Sequence, residues 1–326
     1  MRARCVLAGL VAAGLFAGCG GKTGQDPDAV GTEEPAGSAG SAGMGANEAG
    51  AGPVDCSGVL AFTNPALEAR VREAVGIPTA ELRSDDVAQL DRLEPTEAGI
   101  VDLTGIQCLT GLTYLYLQHN AIRDVRPLSA LTGLNELSLS FNSVSDLSPL
   151  ARLTSLQRLN VTSNGVSDLS PLARLTSLRR LYVTSNAVSD LSPLSALTTL
   201  TILSLANNSV SDLSPLAGLT ALTELAIPHN SVSDLSPLAG LTSLVDLYLA
   251  DNAISDLSPL TELPALRTID LADNLVTDLG PLVANTEFGE GDYLSVLRTP
   301  IDCAAQADNF RTLIGRGLQV ASDCGA

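Results

Sequence analysis

Two histidines, six cysteines and a row of evenly spaced aspartates are the side chains in this 326-residue chain whose types could do chemistry. His119 and His229 could ligate a transition metal or act as general bases, but neither has a Ser or Cys at a matching position to form a nucleophile pair. No Gly-rich phosphate loop and no zinc-ligand pair occurs in the sequence. No enzyme, cofactor or metal site is therefore expected. The aspartates at 102, 124, 146, 168, 190, 212, 234, 256 and 278 recur every 22 residues. Such a row could attract calcium, yet the oxygen-rich loop of a calcium site is missing. A local role fits better: each carboxylate can accept backbone N–H groups of the turn that follows it, as in an Asx-turn. With 36 acidic and 18 basic residues, the formal charge of −18 repels nucleic acid, so no nucleic-acid partner is expected.

The elements that would hold these residues are written in a repeat. From Leu90 to Leu282 the sequence matches itself at a shift of 22 residues. One copy reads Leu156-Gln157-Arg158-Leu159-Asn160-Val161-Thr162-Ser163-Asn164, followed by Val166, Asp168, Leu169, Pro171 and Leu172. This L-x-x-L-x-L-x-x-N-x-V-x-D-L-x-P-L pattern is the leucine-rich-repeat signature. Copies start at Leu90, 112, 134, 156, 178, 200, 222, 244 and 266, the first with Ala98 at the Asn position, and an altered tenth lies around Leu294. The 22-residue form resembles the bacterial internalins and the phosphatase-regulator class of leucine-rich repeats over roughly residues 56 to 324.

The expected fold is an α/β solenoid with a parallel, concave sheet, a shallow arc and short 3₁₀ turns on the convex side. Alternating Leu159 and Val161 point into the core, and each coil adds a strand about 4.8 Å from the last. Aromatics at 3% and the absence of Trp suit identical stacked layers of Leu, Val, Ile and Ala. Asn120, Asn142, Asn164, Asn186, Asn208, Asn230, Asn252 and Asn274 fall where the chain turns off each strand, and their amides can satisfy backbone groups that the turn leaves unpaired. The Ser-Pro pairs at 148–149, 170–171 and 192–193 read as N-cap and first position of a short helix. His119 and His229, five coils apart, would lie about 24 Å from each other, too far to share a metal or proton.

An open stack needs caps at both ends. Asn64-Pro65 is an N-cap and first helical position, with Leu67, Val71, Ala74 and Val75 as one apolar face and Gly76 as the stop. A second short helix is expected from Ser84 towards Leu90. At the far end Phe310, Leu313, Ile314 and Leu318 are spaced as a helical face. Arg2 and Arg4 precede an apolar run from Val6 to Ala17 with the form of an export signal, too short to span a bilayer well. It ends in Leu15-Phe16-Ala17-Gly18-Cys19, which resembles the bacterial lipobox, with Phe16 where Leu is usual. That resemblance implies a lipidated Cys19 and a bacterial envelope lipoprotein. Gly20, in place of the Asp often found after the Cys of inner-membrane lipoproteins, implies an outer-membrane address. The expected organisation is a signal over 1–18, a Gly/Ala/Ser-rich tether over 19–54, a cap over 55–89, repeats over 90–287 and a last repeat with cap over 288–326.

With Cys5 in the signal and Cys19 lipidated, Cys56, Cys108, Cys303 and Cys324 remain for an oxidising compartment. Cys56 and Cys108 belong to the N-terminal cap and first coil, and Cys303 and Cys324 to the C-terminal cap. About 40 Å of stack separates the two groups, so pairing within each is expected.

Sequence freedom is concentrated at the strand positions facing away from the core. One such column reads Tyr116, Ser138, Asn160, Tyr182, Ser204, Ala226, Tyr248 and Asp270, and its neighbour carries Tyr114, Arg158 and Arg180. Tyr and Arg combine contact area with hydrogen bonding and are enriched at binding hot spots. Tyr114, Tyr116, Arg158, Arg180, Tyr182 and Tyr248 are thus the candidate residues for a protein partner. The expected function is that of a non-enzymatic, monomeric envelope or surface lipoprotein, adhesion-like as the internalin resemblance implies, whose only membrane contact is its lipid. The alternative is a passive structural spacer.

Overall fold

Every coil buries the same set of side chains. In the coil that starts at Leu156, that residue and Leu159, Val161, Val166, Leu169, Leu172 and Leu175 are each at most 1% exposed. The computed structural model describes residues 55–325, and its strands form one open, wholly parallel sheet in sequence order. These are β1 (Arg92–Leu93), β2 (Tyr114–Tyr116), β3 (Glu136–Ser138), β4 (Arg158–Asn160), β5 (Arg180–Tyr182), β6 (Ile202–Ser204), β7 (Glu224–Ala226), β8 (Asp246–Tyr248), β9 (Thr268–Asp270), β10 (Tyr293–Ser295) and β11 (Gln319–Ala321). Registers advance by one 22-residue repeat per strand, so Glu136 lies beside Arg158 and Arg158 beside Arg180. Equivalent residues therefore form straight columns across the sheet.

The asparagine column stitches each coil to the one before it. Asn164 donates from Nδ2 to the carbonyls of Val161 (3.0 Å) and Thr162 (3.2 Å) in its own turn and of Leu139 (2.9 Å) in the preceding coil. Its Oδ1 accepts the Val144 N–H at 2.8 Å. Asn186, Asn208, Asn230 and Asn252 repeat this set. Asn142 and Asn274 do the same. Where Ala98 stands in the first coil, Asn120 of the next accepts both the Ala98 and Ile100 N–H groups. The turn is tight enough that the residue before each asparagine is left-handed, with φ near 55° at His119, Phe141, Ser163, Ser185, Asn207, His229, Asp251 and Asp273. Asn, Asp and His tolerate this region better than bulky side chains do.

The convex side carries 3₁₀ turns such as Ser148–Arg152 and Ser170–Leu172. One expectation changes here. The serines are the first residue of each turn and the preceding Leu is the cap, with no side-chain capping bond. The aspartates supply the acceptor instead: Asp146, Asp168 and Asp190 take the N–H of Ser148, Ser170 and Ser192 at 2.7 to 2.8 Å. A carboxylate two residues upstream reaches the free N–H that the serine hydroxyl, already inside the turn, cannot.

At the N-terminal end, helix α1 (Pro65–Val75) is capped by Asn64, which accepts from Ala66 and Leu67, and stops at a left-handed Gly76. Leu67 and Val71 are fully buried, but Ala74 is exposed, so its inward face is narrower than expected. The short helix α2 (Ser84–Val87) follows. At the other end the ninth turn tightens into α3 (Gly280–Ala284), and helix α4 (Ala307–Gly315) buries Phe310 and Leu313. Ile314 is 42% exposed, and Leu318 packs from beyond the helix. Gly317 at φ 92° turns the chain out of the helix and into β11, an added strand that lies against β10. Disulfides link Cys56 to Cys108 and Cys303 to Cys324, with Cα–Cα distances of 5.2 and 5.4 Å. The expected signal, Cys19 lipidation site and tether lie outside the described residues.

Candidate partner-binding face

The outward side chains of β1 to β5 form one connected cluster. Arg92 lies over the rings of Tyr114 and Tyr116, 5.6 and 5.0 Å from their centroids. Tyr116 donates its hydroxyl to Glu136 Oε2 at 2.7 Å, and Arg158 stands 3.8 Å from the same oxygen. Arg158 in turn covers the Tyr182 ring at 5.4 Å. Burial, and then the bond to Glu136, hold the Tyr116 hydroxyl above its ordinary pKa. It therefore stays protonated as a donor at neutral pH. Each ring is half-buried, so a partner would meet rigid aromatic edges and guanidinium planes that neighbours already orient.

Four of the six expected residues, Tyr114, Tyr116, Arg158 and Tyr182, belong to this cluster. Arg180 sits beside Arg158 in register but is exposed, and makes no ion pair among the described residues. Tyr248 stands apart. Its column runs Tyr182, Ser204, Ala226, Tyr248, which places it three strands from Tyr182. Its surroundings are acidic, and burial followed by Asp246, Glu224 and Asp270 holds its hydroxyl above the ordinary value. Glu224 is likewise raised, first by burial and then by Asp246 beside it.

Two cluster members were not singled out in the sequence. Arg92 lies in the degenerate first copy, although counting back 22 residues from Tyr114 lands on it. Glu136 is one polar residue in a variable column, and only the Tyr116 hydroxyl gives it a role. At the edge of the sheet, the rings of His119 and Phe141 stack at 4.3 Å with 7° between planes. His229 Nδ1 lies 2.6 Å from Asp251 Oδ2 one coil on. Among the described residues no three His, Cys, Asp or Glu side chains are grouped so as to hold a metal ion. Nor is any helix there long and apolar enough to cross a membrane.

The sequence matches the model for leucine-rich repeats in pairs over residues 110–152, 154–196, 198–240, 222–262 and 242–284. An internalin (inlF) of Listeria monocytogenes is similar in structure at a TM-score of 0.73 and 32% identity, over 80% of this chain and 76% of that one. Internalin C2 of the same organism aligns at 0.64 and 41% identity, over 65% and 94%. A leucine-rich-repeat protein of Leptospira interrogans shares the fold at 0.65 and 22% identity, over 73% and 62%. A search of the curated proteins found no match. With its repeats matched over more than half of its length, the chain belongs to the leucine-rich-repeat family and is similar to the bacterial internalins.

Proposed function

We propose that this chain is a non-enzymatic binding protein of the bacterial envelope, lipid-anchored through Cys19 on the outer membrane, that holds a protein partner on the sheet face of its repeats. One observation supports this above the others. The cluster of Arg92, Tyr114, Tyr116, Arg158 and Tyr182 packs side chains into oriented, half-exposed contacts on an otherwise small and polar surface. A spacer has no need of such contacts, whereas a partner gains from side chains whose ordering cost is already met.

Affinity capture from cell-surface extracts with the full chain tests this reading. A saturable partner should be recovered, and Tyr116→Ala with Tyr182→Ala should weaken capture by at least about ten-fold, the effect of one hot-spot loss. Undiminished capture by the folded double variant removes the face from the proposal. Metabolic labelling with a radiolabelled fatty acid should mark the wild type and not Cys19→Ser.

A further inference from the structure

The sheet face is split by charge. Between residues 123 and 180 there are seven Arg and four carboxylates, whereas residues 181–266 hold eight carboxylates and no Lys or Arg. On the face itself the split becomes two like-charged pairs in one column. Arg158 and Arg180 are register neighbours on β4 and β5, and Glu224 and Asp246 are register neighbours on β7 and β8. Like charges placed side by side across strands repel each other. Glu224 is half-buried, and neither it nor Asp246 has a cationic partner among the described residues. Arg180 is equally without one. Between the pairs lie Ile202, Ser204 and Ala226, which raise no bulk or charge above the sheet.

We propose that the face takes a polypeptide partner whose own charge is split in the opposite sense. Its carboxylates lie over Arg158 and Arg180, and its ammonium or guanidinium groups lie over Glu224 and Asp246. The two pairs are centred three strands apart, about 14 Å at strand spacing. A partner that supplies both signs at that separation relieves both repulsions at once, while a polyanion relieves one and is repelled by the other. This inference rests on the sheet face being the binding surface and adds which chemistry fits it.

The test uses the full chain and alanine-based helical peptides of zero net charge, so that the negative field of the whole protein cancels from the comparison. In the first peptide a Glu block and a Lys block are centred about nine residues, or about 14 Å, apart. In the second the same residues alternate. Anisotropy titrations should show the block peptide binding at least about ten-fold more tightly, the difference shrinking as salt is raised. Reversing one end, with Arg158→Glu and Arg180→Glu, should abolish that preference. Reversing both ends, by adding Glu224→Arg and Asp246→Arg, should restore it, because the peptide can bind in the opposite direction. Restoration is a result that misfolding cannot imitate.

Equal binding of the two peptides, with loss of both on Tyr182→Ala, overturns the charge split and leaves the binding face intact. Block-peptide binding unaltered by every reversal shows that the face is not the binding surface, and sinks both readings. An all-Glu peptide or heparin that binds as tightly as the block peptide makes the arginines a simple anion site and overturns the proposal. So does sedimentation of the chain alone as a dimer that the one-end reversal dissolves.

Discussion

The turn column and the sheet face belong to the same coils, a few residues apart, and obey opposite rules. In the turn, eight successive coils from Asn120 to Asn274 use the same side chain. On the face, the same coils carry Tyr, Ser, Asn, Ala and Asp. The turn has carbonyl and N–H groups from two coils converging on a space that water does not fill, and an amide can serve both kinds. On the face the backbone groups are already paired in the sheet, and an outward side chain answers only to its neighbours and to whatever binds. Constancy therefore marks where the chain itself needs satisfying. Variation marks where an outside partner can be accommodated.

The largest effect should come from breaking the turn column in mid-stack. Asn186→Ala leaves four backbone groups in two coils without their partner. Urea unfolding should show a loss of about 3 kcal/mol or more, since each unsatisfied buried group costs on the order of 1 to 3. Because each repeat contacts only its neighbours, hydrogen exchange should rise most in the adjoining coils. A uniform rise would show that the coils are not locally coupled in this way.

A smaller effect, of opposite sign, is expected one residue away. Ser163 holds a left-handed backbone at φ 54°, so Ser163→Gly should raise stability by about 1 kcal/mol, while Ser163→Val should lower it. On the face, Tyr182→Ala should change stability by no more than about 1 kcal/mol, the range of one aromatic cross-strand or cation–π contact, while strongly weakening partner capture. If its loss unfolds the chain as far as Asn186→Ala does, the contrast between turn and face disappears.

The smallest effect is a dependence on pH that differs between the two sides of the coil. The exposed carboxyls of Asp168 and Asp190 are held below their ordinary value by the Ser170 and Ser192 hydroxyls and then their N–H groups. A lowered folded value adds stability that is complete above about pH 4 and is lost as pH falls further. Glu224, raised by burial and by Asp246, works the other way. Its folded form takes up a proton first, so acidification toward its ordinary value of about 4.3 favours folding. Melting curves between pH 7 and 2.5 should show Asp168→Asn flattening the acid limb and Glu224→Gln removing the gain just above it.

The sequence by itself determined the stack. A 22-residue period with Leu at fixed offsets admits one way to bury its apolar side chains, and the end positions of Cys56, Cys108, Cys303 and Cys324 leave geometry little choice. The turn asparagines are legible for the same reason, because a polar residue constant inside an apolar layer must be satisfying backbone. Only the tertiary structure decided which face residues act together. Arg92 and Glu136 join the tyrosines through contacts between side chains one or two coils apart, and no period in the sequence specifies those rotamers. It also separated Tyr248 from its counterparts at 116 and 182. The repeat places all three alike, but charge and contact on the face depend on the strands to either side.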